Sequence, residues 1–128
     1  MNPFQSSCGC TCSAGPKLIF SCSGAADVGE LADQTARTLT RNGDGKMFCL
    51  AGIGGRVSGI LKSTEAAASI LAIDGCALDC SKKSLEEAGF TRINHLRLTD
   101  LGFEKGNAEV NSDSIALIVD KAKIFLAE

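Results

Sequence analysis

Tryptophan and tyrosine are absent from the 128 residues, and histidine occurs only once. The charges are nearly balanced, with 13 basic and 15 acidic side chains, and the basic residues form no long run. Because nucleic-acid binding depends on basic surfaces and on aromatic stacking, we expect no nucleic-acid partner. Any mechanism with a Cys–His or Ser–His nucleophile would have to use the single histidine, His95.

Long hydrophobic runs are also missing. No apolar stretch approaches the ~20 residues that a membrane-spanning helix requires, so we expect no membrane partner. The first residues, Met1-Asn2-Pro3-Phe4-Gln5, have neither the positive charge nor the apolar core of a signal peptide. We therefore expect a cytoplasmic protein. Its length, with 45% hydrophobic and 22% charged residues, fits one folded domain.

Cysteine, by contrast, occurs seven times. In a secreted domain this richness would predict disulfide bonds, and the odd count would leave one thiol unpaired. In a reducing cytosol the same richness indicates metal binding or thiol chemistry.

Short apolar segments alternate with amphipathic ones along the chain. The predicted strands are 18–20, 47–50, 69–73 and 95–99, and the predicted helices are 24–39, 56–68, 77–88 and 112–126. This alternation predicts an α/β fold, a single-domain three-layer sandwich around a mainly parallel four-stranded sheet with strand order 2-1-3-4. Residues 1–16 are predicted to be a flexible, Cys-rich leader, and residues 17–128 the α/β domain.

Three cysteines stand at the same point of three successive units. Cys22, Cys49 and Cys76 each fall at or near the end of a predicted strand. The carboxyl ends of parallel strands lie along one edge, where such folds build their sites, and neighbouring strands are only ~4.8 Å apart. Cys80 follows Cys76 by one predicted helical turn, so we expect it at the same edge.

Four thiolates that approach from three loops are enough for a closed tetrahedral Zn²⁺ site. We therefore expect one zinc ion, held by Cys22, Cys49, Cys76 and Cys80. A site with four protein thiolates leaves no position for a catalytic water, so a non-enzymatic protein is favoured. The formal charge of about −2 requires backbone N–H donors nearby, which the glycine-rich turns after the strands could supply.

The four cysteines lie in three distinctive segments, which are Cys22-Ser23-Gly24-Ala25-Ala26-Asp27, Cys49-Leu50-Ala51-Gly52-Ile53-Gly54-Gly55 and Ile73-Asp74-Gly75-Cys76-Ala77-Leu78-Asp79-Cys80-Ser81-Lys82-Lys83. These segments resemble the DGC-domain family. The triplet Asp74-Gly75-Cys76 is the one from which the family takes its name, and the later segment 98–102 is also similar. The resemblance covers roughly residues 17–105. It implies zinc binding by four cysteines, matched here by Cys22, Cys49, Cys76 and Cys80, and it implies no particular catalytic activity.

Other interpretations of the cysteines stay open. Cys76 and Cys80 could form the reactive pair of a thiol-based redox enzyme or sensor, and four thiolates could also hold an iron–sulfur cluster. Cys49 could be an inert residue of the core. Cys49 and Arg56 flank a glycine-rich loop, as in the phosphate cradle of phosphotyrosine phosphatases, but six residues intervene where that cradle has five.

The remaining candidates are residues whose role the sequence leaves undecided. Three cysteines of the leader could close over the main site, bind a second metal with a further ligand, bridge two chains, or have no role; they are Cys8, Cys10 and Cys12. His95 is predicted at the start of strand four, on the edge opposite the cysteines. Near the cysteine edge, Asp27 and Asp79 suit helix amino ends and Asp74 suits a turn. Asp74 or Asp100 could also support the site as a hydrogen-bond acceptor, or act as a general base if the protein catalyses a reaction.

Overall fold

The apolar runs of the sequence form one parallel sheet in the computed structural model, which describes residues 15–127. Its strands are β1 (Lys17–Ser21), β2 (Lys46–Met47), β3 (Ser69–Asp74) and β4 (Asn94–Arg97). All neighbouring strands pair in parallel, in the order β2-β1-β3-β4. The predicted α/β class and the predicted strand order are both confirmed.

Helices cover both faces of the sheet. They are α1 (Asp27–Asn42), α2 (Leu50–Gly54), α3 (Ser58–Glu65), α4 (Cys80–Glu87) and α5 (Ser112–Leu126), with a 3₁₀ helix at Leu98–Leu101. Side chains alternate along each strand, so Ile19 faces α1 and α5 while Leu18 and Phe20 face α2, α3 and α4. The three layers of the predicted sandwich follow from this alternation.

Several predicted bounds differ from the structure: the strand predicted over 47–50 covers only Lys46–Met47, the one predicted over 95–99 ends at Arg97, and α1 covers Asp27–Asn42 instead of 24–39. The segments that follow β2 and β3 differ further. The helix predicted over 56–68 corresponds to α3, and it is preceded by the short helix α2, which the sequence did not predict. Arg56 lies between these two helices and adopts the left-handed conformation with φ +57°. The helix predicted from residue 77 begins only at Cys80, after Asp79 has also taken a left-handed conformation. Residues 77–79 therefore belong to a loop.

The leader predicted over residues 1–16 falls almost entirely outside the described part of the chain. Residues 1–14, which include Cys8, Cys10 and Cys12, are not among the described residues. From residue 15 to residue 127, no helix combines the length and the apolar character needed to cross a membrane.

Candidate functional site

Four cysteines lie along the carboxyl edge of the sheet. Cys22 directly follows β1, and Cys49 and Cys76 each lie two residues beyond the end of a strand. Cys80 is the first residue of α4. The parallel direction of the strands places all of these positions on one side of the molecule.

Cys22 occupies the middle of this edge and is half-buried. Its sulfur accepts a hydrogen bond from the backbone N–H of Gly75, with 3.4 Å between the two atoms. Burial raises the pKa of the Cys22 thiol, and the negative charges of Asp74 and Cys80 act in the same direction. The N–H groups of Gly75 and Gly24 oppose this rise because they stabilise the thiolate.

Cys49 is exposed, so the interpretation of this residue as part of the core is wrong. Its sulfur accepts a hydrogen bond from the N–H of Gly52 at 3.3 Å and thereby caps the short helix α2. Cys22 and Cys49 line the same cleft of about 540 Å³. The first two of the four cysteines therefore share one opening to solvent.

A chain of hydrogen bonds borders this cleft on the side of α1. Ser23 donates to Asp33 at 2.8 Å, and the hydroxyl of Ser21 lies 2.6 Å from that of Ser23. Asp33 in turn accepts a hydrogen bond from Arg37. Ser23, like Asp79, has a positive φ, here +50°. Non-glycine residues in this conformation cluster at functional sites, and these two lie in the loops that follow β1 and β3.

Cys76 and Cys80 belong to the segment that connects β3 with α4. Cys76 is half-buried, and the ammonium group of Lys105 lies 3.9 Å from its sulfur. Cys80 is exposed. Lys105 is a residue that the sequence analysis did not single out, because its loop follows the last strand and approaches Cys76 only in the folded chain.

The four sulfurs share an edge without forming a closed cluster. Around a tetrahedral zinc ion with Zn–S distances near ~2.3 Å, thiolates stand roughly 3.8 Å apart. Among residues 15–127, no three cysteine sulfurs lie within 4.8 Å of one another. Metal binding by all four would therefore require their side chains to turn toward a common point.

The one group of three close ligand atoms in the described chain consists of Asp74, Asp79 and His95. His95 was predicted on the edge opposite the cysteines, and this prediction is wrong. Its Nε2 atom lies 2.9 Å from Oδ2 of Asp74 and 3.5 Å from Oδ1 of Asp79. His95 stands on β4 opposite Ala72, and its side chain extends to the carboxyl edge.

Arg97 completes this group with two hydrogen bonds to Asp79. Its Nε and Nη2 atoms lie 2.8 Å and 2.6 Å from the two carboxylate oxygens. This pairing lowers the pKa of Asp79, with a smaller contribution from His95, and raises the pKa of Arg97. The oxygens of Asp79 are therefore already engaged, and a cation at this group would have to displace Arg97.

The sequence does carry a signal for this pair of β4 residues. In the segment His95-Leu96-Arg97-Leu98 the two leucines are buried and the two polar residues alternate with them. Alternation of this kind places His95 and Arg97 on the same face of the strand. What the sequence lacks is the identity of their partners, which lie about 20 residues away along the chain.

Asp27 binds the loop that carries Lys105. Its carboxylate accepts hydrogen bonds from the N–H groups of Gly106 at 2.9 Å and of Ala108 at 3.0 Å, as well as from Val28. These donors, led by Gly106, lower the pKa of Asp27. The expected role of Asp27 at a helix amino end therefore extends to a long-range contact that brings Lys105 toward Cys76.

This contact predicts an acid-dependent stability difference between the wild type and Asp27→Asn. Because the folded-state pKa of Asp27 is lowered, its stabilisation is present above the unfolded value of about 4 and is lost as the pH falls through the folded value. In urea unfolding, the variant should be less stable than the wild type at pH 7, and the difference should shrink below about pH 4. Asp113→Asn, at an exposed carboxyl in the first turn of α5, is the control. An undiminished difference at low pH would contradict this account.

The guanidinium of Arg56 is held by backbone carbonyl groups. It donates to the carbonyl oxygens of Ile53 at 2.9 Å and of Glu87 at 3.2 Å. The comparison with a phosphatase cradle therefore finds no support, because the arginine that would bind a phosphate is occupied by backbone acceptors.

The chain is similar to known proteins over most of its length. A family model described as the DGC domain matches residues 18–122. Over 92 residues the chain is 36% identical to the anaerobic and virulence modulator AnvM of Pseudomonas aeruginosa, an alignment that covers 72% of this chain and 70% of that protein. No solved structure matches the chain.

Proposed function

Because the chain belongs to the DGC-domain family, we propose that it is a zinc-binding protein that holds one ion at the carboxyl edge of its sheet. The proposed ligands are the thiolates of Cys22, Cys49, Cys76 and Cys80. The observation that carries the proposal is that three successive parallel strands each deliver a cysteine to one edge, to which the start of α4 adds a fourth.

The surroundings of the sulfurs support this ligand set. Two sulfurs already accept backbone N–H bonds, Cys22 from Gly75 and Cys49 from Gly52, and such donors stabilise metal-bound thiolates. The ammonium group of Lys105 beside Cys76 offsets part of the formal charge of about −2. These contacts fit an anionic centre of the Zn(Cys)₄ type.

Closure around an ion would depend on the two exposed cysteines. Cys49 and Cys80 are exposed, and exposed side chains exchange between rotamers rapidly. The half-buried pair provides the fixed side of the site: Cys22 accepts a hydrogen bond from Gly75, and Cys76 follows Gly75 in the sequence. Binding would then bring the two exposed sulfurs toward the two half-buried ones.

We further propose a structural or regulatory role for the ion rather than a catalytic one. Four protein thiolates leave no open coordination position for water. The Pseudomonas relative is named a modulator, which agrees with a non-enzymatic role. A reducing compartment such as the cytosol, where we place the protein, would keep the thiols available.

A second candidate function is thiol-based redox chemistry through Cys76 and Cys80. The exposure of Cys80 at the first residue of α4 favours it, because an incoming disulfide can reach that sulfur. In this alternative, two thiols would form a disulfide while a small-molecule disulfide is reduced to two thiols. An iron–sulfur cluster on the same four cysteines is a third outcome that the metal itself would reveal.

Elemental analysis of protein purified without oxygen tests the proposal, with free thiols counted before and after chelation. We expect about one zinc ion per chain and about four thiols that become reactive when the ion is removed. If the protein instead contains iron and absorbs visible light, the bound group is an iron–sulfur cluster and not a zinc ion. Metal-free protein whose Cys80 is alkylated at once would overturn the metal proposal in favour of thiol chemistry.

A further inference from the structure

Two side chains of β4 reach the loop formed by residues 75–79, which joins β3 to α4. His95 and Arg97 alternate with the buried Leu96 and Leu98, so both project from the same face of the strand. Arg97 pairs in register with Asp74, the last residue of β3. The loop begins directly after that residue.

The first end of the loop is fixed through Asp74, which is only 1% exposed. One of its oxygens accepts a hydrogen bond from the N–H of Ser81 at 2.7 Å, and the other accepts from Lys82 at 3.2 Å. These donors are at the start of α4, beyond the loop. His95 binds the same carboxylate at 2.9 Å, so β3, α4 and β4 meet at one buried side chain.

The second end of the loop is fixed through Asp79. This residue adopts a left-handed backbone conformation with φ +53°, which L-residues other than asparagine and aspartate rarely adopt. The guanidinium of Arg97 binds both of its carboxylate oxygens, and His95 lies 3.5 Å from one of them. The backbone turn before α4 is therefore held from the side by β4.

The loop clamped in this way carries much of the candidate site. It contains Cys76 and ends next to Cys80, and its first residue, Gly75, donates to the sulfur of Cys22. A shift of the loop would change the separation of Cys76 from Cys80 and would remove the N–H donor of Cys22. Cys49, which caps α2, would be unaffected.

We propose that His95 and Arg97 are positioning residues that clamp the loop over 75–79 and thereby set the places of Cys22, Cys76 and Cys80. The clamp itself is inferred from the hydrogen bonds of His95 and Arg97 to Asp74 and Asp79. Its consequence for metal affinity rests on the proposed function. Neither residue needs to touch the metal.

The clamp is tested in metal-free protein by the alkylation rate of each cysteine, read from peptide masses. In Arg97→Leu, the released loop should expose the half-buried sulfurs of Cys22 and Cys76, and this gain in access should outweigh the loss of the N–H donor at Cys22. Both rates should therefore rise roughly tenfold, the order expected when charge-assisted hydrogen bonds are lost. The rate at Cys49 should change less than about twofold. Arg97→Lys should fall between the two, because a lysine keeps the charge but cannot bind both oxygens at once.

Two further variants separate the clamp from a general loss of stability. Arg92→Leu alters an exposed arginine that lines a cavity at the amino edge of the sheet with Ser69 and Asn94, and it should leave all rates unchanged. Asp79→Asn keeps a side chain that tolerates the left-handed conformation, so the backbone turn survives while the ion pair is lost. Adding Arg97→Leu to this variant should then have little further effect.

A measurement of zinc affinity tests the part of the proposal that depends on the proposed function. In a competition with a chelator, Arg97→Leu should bind zinc roughly 10- to 100-fold more weakly, as is typical when a residue that orients a ligand is removed. If the wild type binds no zinc, the proposed function fails but the alkylation pattern still decides the clamp. Equal changes at all four cysteines, or none, would overturn the clamp. A selective rise with unchanged zinc affinity would overturn its role in the metal site.

Discussion

Cys76→Ser is expected to lose its zinc under conditions in which the wild type retains one ion per chain. A serine hydroxyl is a harder and far less acidic ligand than a thiol, so three thiolates would remain for a metal that prefers four ligands. The loss of affinity should exceed the roughly 10- to 100-fold that follows removal of an outer-shell partner. Metal content after dialysis and competition with a chelator measure the difference.

The loss of zinc from Cys76→Ser should also lower the thermal stability of the variant. An ion that binds only the folded protein adds stability in proportion to the logarithm of its concentration over its dissociation constant. Cys76→Ser should therefore unfold at a lower temperature than the zinc-loaded wild type. With excess chelator the two proteins should become nearly equal, because Cys76 is only half-buried.

The leader provides a matched control for this prediction. Replacing all three of its cysteines by serine makes the same chemical change at thiols that the proposal leaves out; these are Cys8, Cys10 and Cys12. This variant should keep its zinc and its melting temperature. Loss of zinc from the leader variant, or full retention in Cys76→Ser, would contradict the ligand assignment.

The fold could be predicted from the sequence because its signals are local. Apolar runs at regular intervals define the strands, and the last helix has the predicted bounds, Ser112–Leu126. Short connections and the rule of right-handed crossovers then leave few topologies, of which the doubly wound order is the one that the chain adopts. The placement of cysteines after successive strands follows from the same reasoning.

The sequence could not predict contacts that depend on side-chain direction. His95 bonds to Asp74, 21 residues earlier, and Arg97 bonds to Asp79, 18 residues earlier. These contacts hold Asp79 in a left-handed conformation and delay the start of α4 to Cys80. The helical pattern over 77–88 does not reveal that the helix begins late, because Arg97, the partner of Asp79, lies on β4.

The structure gives a physical reason for each residue of the triplet Asp74-Gly75-Cys76. Asp74 joins β3 to α4 and β4 through its buried carboxylate. Gly75 has no room for a side chain, since a Cβ atom there would lie 2.7–2.8 Å from atoms of Val28 that include its backbone carbonyl. This close approach lets the N–H of Gly75 reach the sulfur of Cys22. Cys76, the third residue, then places its thiol at the carboxyl edge of the sheet.

Asp74→Ala should consequently lose more stability than a typical surface variant, by about 3 kcal/mol. The change leaves His95 and the N–H groups of Ser81 and Lys82 without their acceptor, and breaking a buried charged network costs roughly 3–5 kcal/mol. Solvent that enters the space left by the carboxylate would offset part of this loss. Urea unfolding of metal-free protein at pH 7 measures it without any contribution from a bound ion.

Two comparisons make the result specific to the buried contacts of Asp74. Asp120→Ala, at an exposed position of α5, should change the free energy of unfolding by no more than about 0.5 kcal/mol. Asp74→Asn keeps the shape and one acceptor oxygen, so its loss should lie between the two alanine variants. If Asp74→Ala were as stable as Asp120→Ala, the carboxylate would not join the three elements, and the clamp of His95 and Arg97 would lose the anchor at the first end of its loop.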